Sequence, residues 1–324
     1  MLTNYPVDLH SHTVLSDGAD SIQELIENAV ACGVKVLALT DHDILPPAEI
    51  HLAGGGSHSV VSWARSRGLC LLCGVEISCE TGLEDVHIVG LGCRWNDAEM
   101  KNMTLQIAKS KAESYHETVR RLNERGYAFT MEELLGYDGR RTDLLSLQKK
   151  RIFDFMAAKG FTADWIEAKL LVRNDPYLSV PREKPSSRRV IEAIHRAGGI
   201  AILAHPYLID AAIIIDGREY SRWDYVESLI EMGLDGIETR YPYGKTTCRD
   251  KRSSAEIWVE VEKQARNRII ISAGSDYHAD GKKGTLNPRG LGECGLTMEE
   301  FLSVPKFYEL YERAMDQHRE SRLG

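Results

Sequence analysis

The stretch VDLHSHTVLSDG (residues 7–18) sets His10, His12 and Asp17 within eight residues of one another. It opens apolar and β-branched, as a strand does, and turns polar where that strand would end. Strand side chains alternate between faces with period two, so His10 and His12 point the same way. Two imidazoles and a carboxylate so placed are a metal site, an acid–base pair or a coincidence of loop residues. The rest of the chain has to decide.

Apolar runs of the same kind recur at VKVLALTDH (34–42), LCLLCGVEIS (69–78), DVHIVGLG (85–92), IAILAHPYL (200–208), DGIETRY (235–241) and RIIISAGSDYH (268–278). Short apolar runs bounded by turn residues are what buried parallel strands look like. Helical patterns lie between several of them. Ser21-Ile22-Gln23-Glu24 and Thr297-Met298-Glu299-Glu300 are capping boxes, and a further helix is expected from Pro185 to Ala197. Seven strand candidates alternating with helices point to a (β/α) barrel or a doubly wound sheet. Only CETGLE (79–84) joins the third strand candidate to the fourth. A parallel crossover needs about a dozen residues, so the barrel is distorted there or the two strands form a hairpin.

Residues 97–184 contain no convincing strand and read as helices over 97–125, 130–135, 147–159 and 162–171. The expected organisation is therefore a barrel begun by residues 1–96, an all-helical insertion or lid over 97–184, and the barrel completed by 185–324 with a C-terminal helix. A hydrophobic content of 43% and a formal charge of −8 suit a globular protein with a large core and disfavour a general affinity for nucleic-acid backbone, so no stable DNA binding is expected. No run of about 20 apolar residues and no signal peptide is found, and the seven cysteines are odd in number and scattered. The expectation is a cytoplasmic protein with reduced thiols and no membrane contact. Cys70 and Cys73 form a C-x-x-C, but its setting reads as a buried strand.

Every strand candidate but the sixth carries metal-binding residue types at or beside one end. They are His10 and His12, His42, Glu76, His87, His205, and Asp276 with His278, and six of the chain's eleven histidines fall in these places. A lone strand-end histidine is an ordinary hydrogen-bonded residue. Six together with Glu76, Asp17 and Asp276 are a metal site. Imidazole and carboxylate without cysteine suit manganese, zinc or iron in an open site. Nine ligands are too many for one ion, so two or three divalent ions are implied, with Glu76 the natural bridge. Multinuclear sites with open positions perform hydrolysis.

The set DLHSHTVLSDG, LTDHD, GVEIS, HIVG, LAHP and GSDYH resembles the PHP (polymerase and histidinol phosphatase) family of metal-dependent phosphoesterases, with the motifs in order over residues 7–92 and 186–278. The resemblance implies an α/β fold: a distorted, seven-stranded TIM-like barrel, here with the all-helical insertion. It implies a trinuclear site in which His10, His12, Glu76 and Asp276 hold one ion, Glu76, His87 and His205 a second, and Asp17, His42 and His278 a third. Attack on phosphorus would come from a hydroxide bridging the ions, with Asp17 or His278 assisting the leaving oxygen. Asp17, together with an insertion after HIVGLG, is similar to a subgroup acting on 3′,5′-bisphosphonucleosides and the 5′ ends of short RNA. That subgroup often carries an R-P-H-like stretch in the insertion. The counterpart here is LQKKRIFDFMAAKG, with Lys149, Lys150 and Arg151 at altered positions. Lys150, Arg151 and Arg240, after the sixth strand, are the candidate substrate-phosphate contacts, with Arg140 and Arg141 weaker ones.

The expected substrate is a small phosphorylated metabolite, first of all a nucleotide. A related branch hydrolyses cyclic ribose phosphates of phosphonate or sugar-phosphate salvage, which is the alternative. From other classes, a metal amidohydrolase would need a bridging lysine where Glu76 stands, and a non-catalytic PHP scaffold would have lost ligands.

Overall fold

The computed structural model describes residues 4–51, 55–80, 83, 85–139, 141–215 and 217–316. They divide into two compact units, residues 1–101 with 186–324, and residues 102–185.

The first unit is built on a seven-stranded sheet: β1 (Val7–Asp8), β2 (Val36–Leu39), β3 (Cys70–Ser78), β4 (His87–Leu91), β5 (Ile200–Leu203), β6 (Gly236–Arg240) and β7 (Ile270–Ala273), neighbours in sequence order. Each pair is parallel except β3–β4 and β4–β5, which are antiparallel. The short connector after β3 is the cause. Too few residues are available for a crossover helix, so the chain folds straight back and Ser78 pairs with His87. A parallel bridge between Ser11 and Tyr277, and the Leu9 N–H donating to Ala273 O at 3.2 Å, bring the first strand to the last and nearly close the barrel.

Alternation divides the strand residues between two cores. Val7, Val36, Ala38, Cys70, Leu72, Val89, Leu91, Ile200 and Ile202 share one cluster with Phe301, Phe307 and Leu310 of the helices Met298–Ser303 and Pro305–Met315. The opposite faces of β2 and β3 (Leu37, Leu39, Leu71) pack with Leu25, Ile26 and Ala29 of the helix Ile22–Ala31 and with Val60 and Ala64 of Val60–Ser66. Both capping boxes read from the sequence form, Ser21 with Glu24 and Thr297 with Glu300. Cys70 and Cys73 are buried on β3 as free thiols. Among the described residues no helix is long and apolar enough to cross a membrane.

Two antiparallel hairpins, Glu49–His51 with Ser57–Ser59 and Ala212–Ile215 with Arg218–Ser221, were not foreseen. The first pairs residues 49–51 with 57–59. Its strands are three residues long and mostly exposed, too short and too polar for an alternation signal.

The second unit is helical. Helices Ala98–Glu124, Met131–Gly136, Lys149–Ala158 and Trp165–Asn174 contribute Tyr115, Leu122, Phe129, Leu134, Phe155, Met156 and Val172 to one apolar cluster. The first of these begins in the barrel unit, where Met100 is buried and Glu99 pairs with Arg196. The last starts three residues later than its sequence pattern suggests, because Asp164 is the cap, accepting from the Glu167 N–H at 2.8 Å.

Candidate metal centre

All nine candidate ligands meet at one rim of the barrel. His10, His12, His42, His205, Asp276 and His278 lie just past the C-terminal ends of β1, β2, β5 and β7, Glu76 lies near the end of β3, and Asp17 follows β1. His87 is the first residue of its strand, and it reaches the same rim because β4 runs the other way.

Glu76 is the hub. Its side chain continues the inward alternation of Cys70 and Leu72, and it is fully buried. Oε1 lies 2.9 Å from both His87 Nδ1 and His205 Nε2. Oε2 lies 2.8 Å from His42 Nδ1 and 3.4 Å from Nε2 of both His10 and His12. Asp276 Oδ1 faces the same two rings, at 3.4 Å from His10 Nε2 and 3.0 Å from His12 Nε2. On the outer side, Asp17 Oδ1 lies 3.0 Å from His278 Nε2 and 3.8 Å from His42 Nε2. Three overlapping groups result, each compact enough for one ion: His10, His12 and Asp276; His42, Glu76 and His87; and His12, Asp17, His42 and His278.

The cluster fits divalent cations on two counts. His10 Nε2, His12 Nε2, Glu76 Oε2 and His205 Nδ1 are buried and make no hydrogen bond of good geometry with the described residues. Such an atom costs about 1–3 kcal/mol, and Glu76 Oε2 lies 3.4 Å from each of the first two nitrogens. Ligation needs charged carboxylates and neutral rings, and the carboxylates meet that need. Burial opposes charge on His10, His42 and His205, but neighbouring carboxylates, Glu238 for His10 and Glu76 for the other two, outweigh it and raise all three. A bound cation would displace those protons. Burial opposes ionisation of Glu76, but the His42, His87 and His10 rings outweigh it and hold the carboxyl well below its usual range. For Asp276, burial is outweighed by Arg289, His278 and His10. Burial, then His278 and His42, push His12 well below the usual imidazole value. The donor set of imidazole and carboxylate without thiolate suits manganese, iron or zinc.

Three buried aspartates lace neighbouring strand ends beneath these ligands. Asp8 accepts from Ser275 N and Oγ and from Gly292 N. Asp41 accepts from Thr13 N and Oγ1 and from Ser16 Oγ, and Asp43 from Ser78 N. In the sequence these three stand out only as neighbours of candidate ligands. Their signal is a carboxylate one or two residues from a candidate ligand in DLH and DHD. Glu238 on β6, Tyr241 and Arg289 were also missed. Glu238 Oε1 lies 3.1 Å from His10 Nδ1, Tyr241 donates to Asp276 Oδ2 at 2.7 Å, and the Arg289 guanidinium is hydrogen-bonded to the same carboxylate. The backbone is strained at the rim: His205, Asp276 and Asp43 all have positive φ, at 27°, 50° and 58°. Non-glycine residues hold such angles where surrounding structure over-determines them, as in ligand clamps.

The described candidate phosphate contacts are each paired with a carboxylate. Arg240 pairs with Glu300 at 2.5 Å and donates to Gly295 O. Within the helical unit, Lys150 pairs with Asp154, while Arg151 pairs with Asp138 and donates to Leu134 O and Leu135 O. Arg141 pairs with Glu132, and Arg140 lies outside the described residues.

A model of the PHP domain matches residues 8–140. The chain is 27% identical over 276 residues to a phosphoribosyl 1,2-cyclic phosphate 1,2-diphosphodiesterase of Eggerthella lenta, covering 84% of this chain and 93% of the relative. It is 27% identical over 280 residues to a 3′,5′-nucleoside bisphosphate phosphatase of Chromobacterium violaceum, covering 86% and 89%. Identity to a 5′-3′ exoribonuclease of Haemophilus influenzae is 30% over 292 residues, covering 84% and 89%. A solved structure from Bifidobacterium adolescentis, assigned as a metal-dependent phosphoesterase, superposes with a TM-score of 0.67 at 22% identity over 98% of both chains. With its motifs on the rim of this barrel and relatives matched over most of their length, the chain belongs to the PHP-domain family.

Proposed function

We propose that this protein is a metal-dependent phosphoesterase that hydrolyses a small phosphorylated nucleotide, a 3′,5′-bisphosphonucleoside or the 5′ end of a short RNA. The observation that carries the reading is the convergence of nine ligand-type side chains around buried Glu76, with one edge open. Asp17, His42 and His87 are the partly exposed members, with side chains 29%, 21% and 17% accessible. A phosphate group therefore enters from their side.

His10, His12, Glu76 and Asp276 would hold one ion, Glu76, His87 and His205 a second, and Asp17, His42 and His278 a third. Bound divalent ions supply Lewis acidity to phosphoryl oxygens and lower the pKa of water. The chain's own part is position and proton supply. Glu76 and Asp276 stay charged and so would hold the cations that balance phosphate charge. Both ring nitrogens of His278 face acceptors, Nδ1 the Asp276 carbonyl at 2.8 Å and Nε2 the Asp17 carboxylate at 3.0 Å. That arrangement fixes the ring beside Asp17, and the reading has Asp17 or His278 assist the departing oxygen from this side.

A second reading, cleavage of a cyclic ribose phosphate, is favoured by one observation: Arg151 and Lys150, the nucleotide branch's best phosphate contacts, are engaged with Asp138 and Asp154 of their own unit. Phosphate release from a 3′,5′-bisphosphonucleoside, a 5′-phosphorylated oligoribonucleotide and a ribose 1,2-cyclic phosphate in Mn²⁺ separates the two. Turnover of either nucleotide is expected. Turnover of the cyclic ester alone would replace the first reading by the second.

A further inference from the structure

Strand β6 is the one barrel strand that contributes no candidate ligand, yet it carries a carboxylate into the centre. Glu238 is 3% exposed and has both oxygens engaged. Oε1 lies 3.1 Å from His10 Nδ1, and Oε2 accepts from the His205 N–H at 2.8 Å. Neither oxygen belongs to a ligand group, and the contact to His10 is on the ring nitrogen facing away from Glu76 and Asp276. A β-bulge follows at once: Glu238 pairs with Ser272 and Arg240 with Ala273. Bulges of this kind re-aim side chains beside active sites.

We infer that Glu238 is a positioning residue, which keeps the proton of His10 on Nδ1 and so leaves the Nε2 lone pair for a metal ion, while its other oxygen pins the backbone of His205. The inference rests on reading the cluster as a metal centre. An imidazole has one proton to place when neutral, and an anionic acceptor at Nδ1 fixes it there. His205 sits at a φ of 27°, a conformation a histidine adopts only when held, and the bond to its N–H is such a hold. One carboxylate thus fixes two ligands on neighbouring strands.

Only an acceptor at both ends can do this. In Glu238→Gln one end of the side chain becomes an NH₂ donor. Facing His10, it drives the proton to Nε2 and removes the lone pair from the centre. Facing His205, it meets an N–H donor and the backbone loses its partner. The test is Mn²⁺ affinity by competition with a chelating dye, with the His10 tautomer read from ¹⁵N ring shifts of the Zn²⁺-loaded protein. Glu238→Gln is expected to bind at least one ion about 10- to 100-fold more weakly than wild type. Its metal-free melting temperature serves as the folding control. Unchanged affinity in a folded variant would overturn the proposal. Should the variant not fold, Zn²⁺-loaded wild-type protein decides: a His10 proton on Nδ1 supports the proposal, and a proton on Nε2 refutes it. Failure of wild type to bind any Mn²⁺ would instead count against the metal centre itself.

Discussion

Glu76 shows how much one residue can carry and how much of that was readable. Its inward position follows from the two-residue period of LCLLCGVEIS, so a carboxylate at the end of a buried strand could be singled out from sequence alone. Its five imidazole neighbours follow from strand order, which brings His10, His12, His42, His87 and His205 around it. Glu238 was not singled out, because a lone glutamate inside DGIETRY looks like any strand residue until its partners are seen. Arg289 was invisible for another reason: it lies 13 residues beyond Asp276 in an irregular segment. Removing the charge of Glu76 should therefore do more harm than removing any outer residue. Glu76→Gln is expected to lower kcat/KM by more than about 100-fold and to reduce bound metal, measured by elemental analysis of the purified variant. Wild-type metal content would show that the hub is not a ligand.

At the scale of elements, the short CETGLE connector announced a break in the parallel pattern but left two ways to make it. The structure takes the hairpin, and β4 returns antiparallel. That reversal is what brings His87 to the ligand rim, so an irregularity of the barrel serves the site directly. The opposite end of the sheet depends on close approach. Gly274, between β7 and Asp276, has no room for a side chain: a Cβ there would lie 2.4 Å from His10 Cβ and 2.6 Å from His10 N. Gly274→Ala must push β1 and β7 apart or displace His10. The expected cost is about 1–3 kcal/mol in urea unfolding, accompanied by loss of bound metal. A variant as stable as wild type with full metal content would mean the two strand ends are less tightly joined than described. The hairpins at Glu49–Ser59 and Ala212–Ser221 escaped the sequence reading, since strands of three or four mostly exposed residues leave no periodic apolar mark.

For the whole molecule, the seven-strand count, the barrel class and the helical stretch after β4 were legible because each rests on a pattern repeated along the chain. For the phosphate contacts the sequence supplies only charge, which does not say where a side chain is presented. Arg240, Lys150 and Arg151 each pair with a carboxylate. The barrel also explains the cysteines. Burial pushes the thiols of Cys70 and Cys93 up to about 12, and Cys73, Cys79 and Cys294 are buried as well, while Cys32 is exposed. A thiol attacks only as the thiolate, so these raised groups stay protonated and unreactive at pH 8. Iodoacetamide at pH 8 should label Cys32 rapidly and the buried five only after unfolding, as read by peptide mass spectrometry; rapid native labelling of Cys70 or Cys93 would contradict the buried β3–β4 core. The central claim is that the rim cluster is a metal centre for phosphoester hydrolysis, and one measurement reaches it directly. Phosphate release from a 3′,5′-bisphosphonucleoside is followed with protein stripped by a chelator and then titrated with Mn²⁺. Release that is absent from the stripped protein and restored by two or three equivalents is the expected result. Release that survives stripping unchanged, or fails to appear when metal is bound, would contradict it.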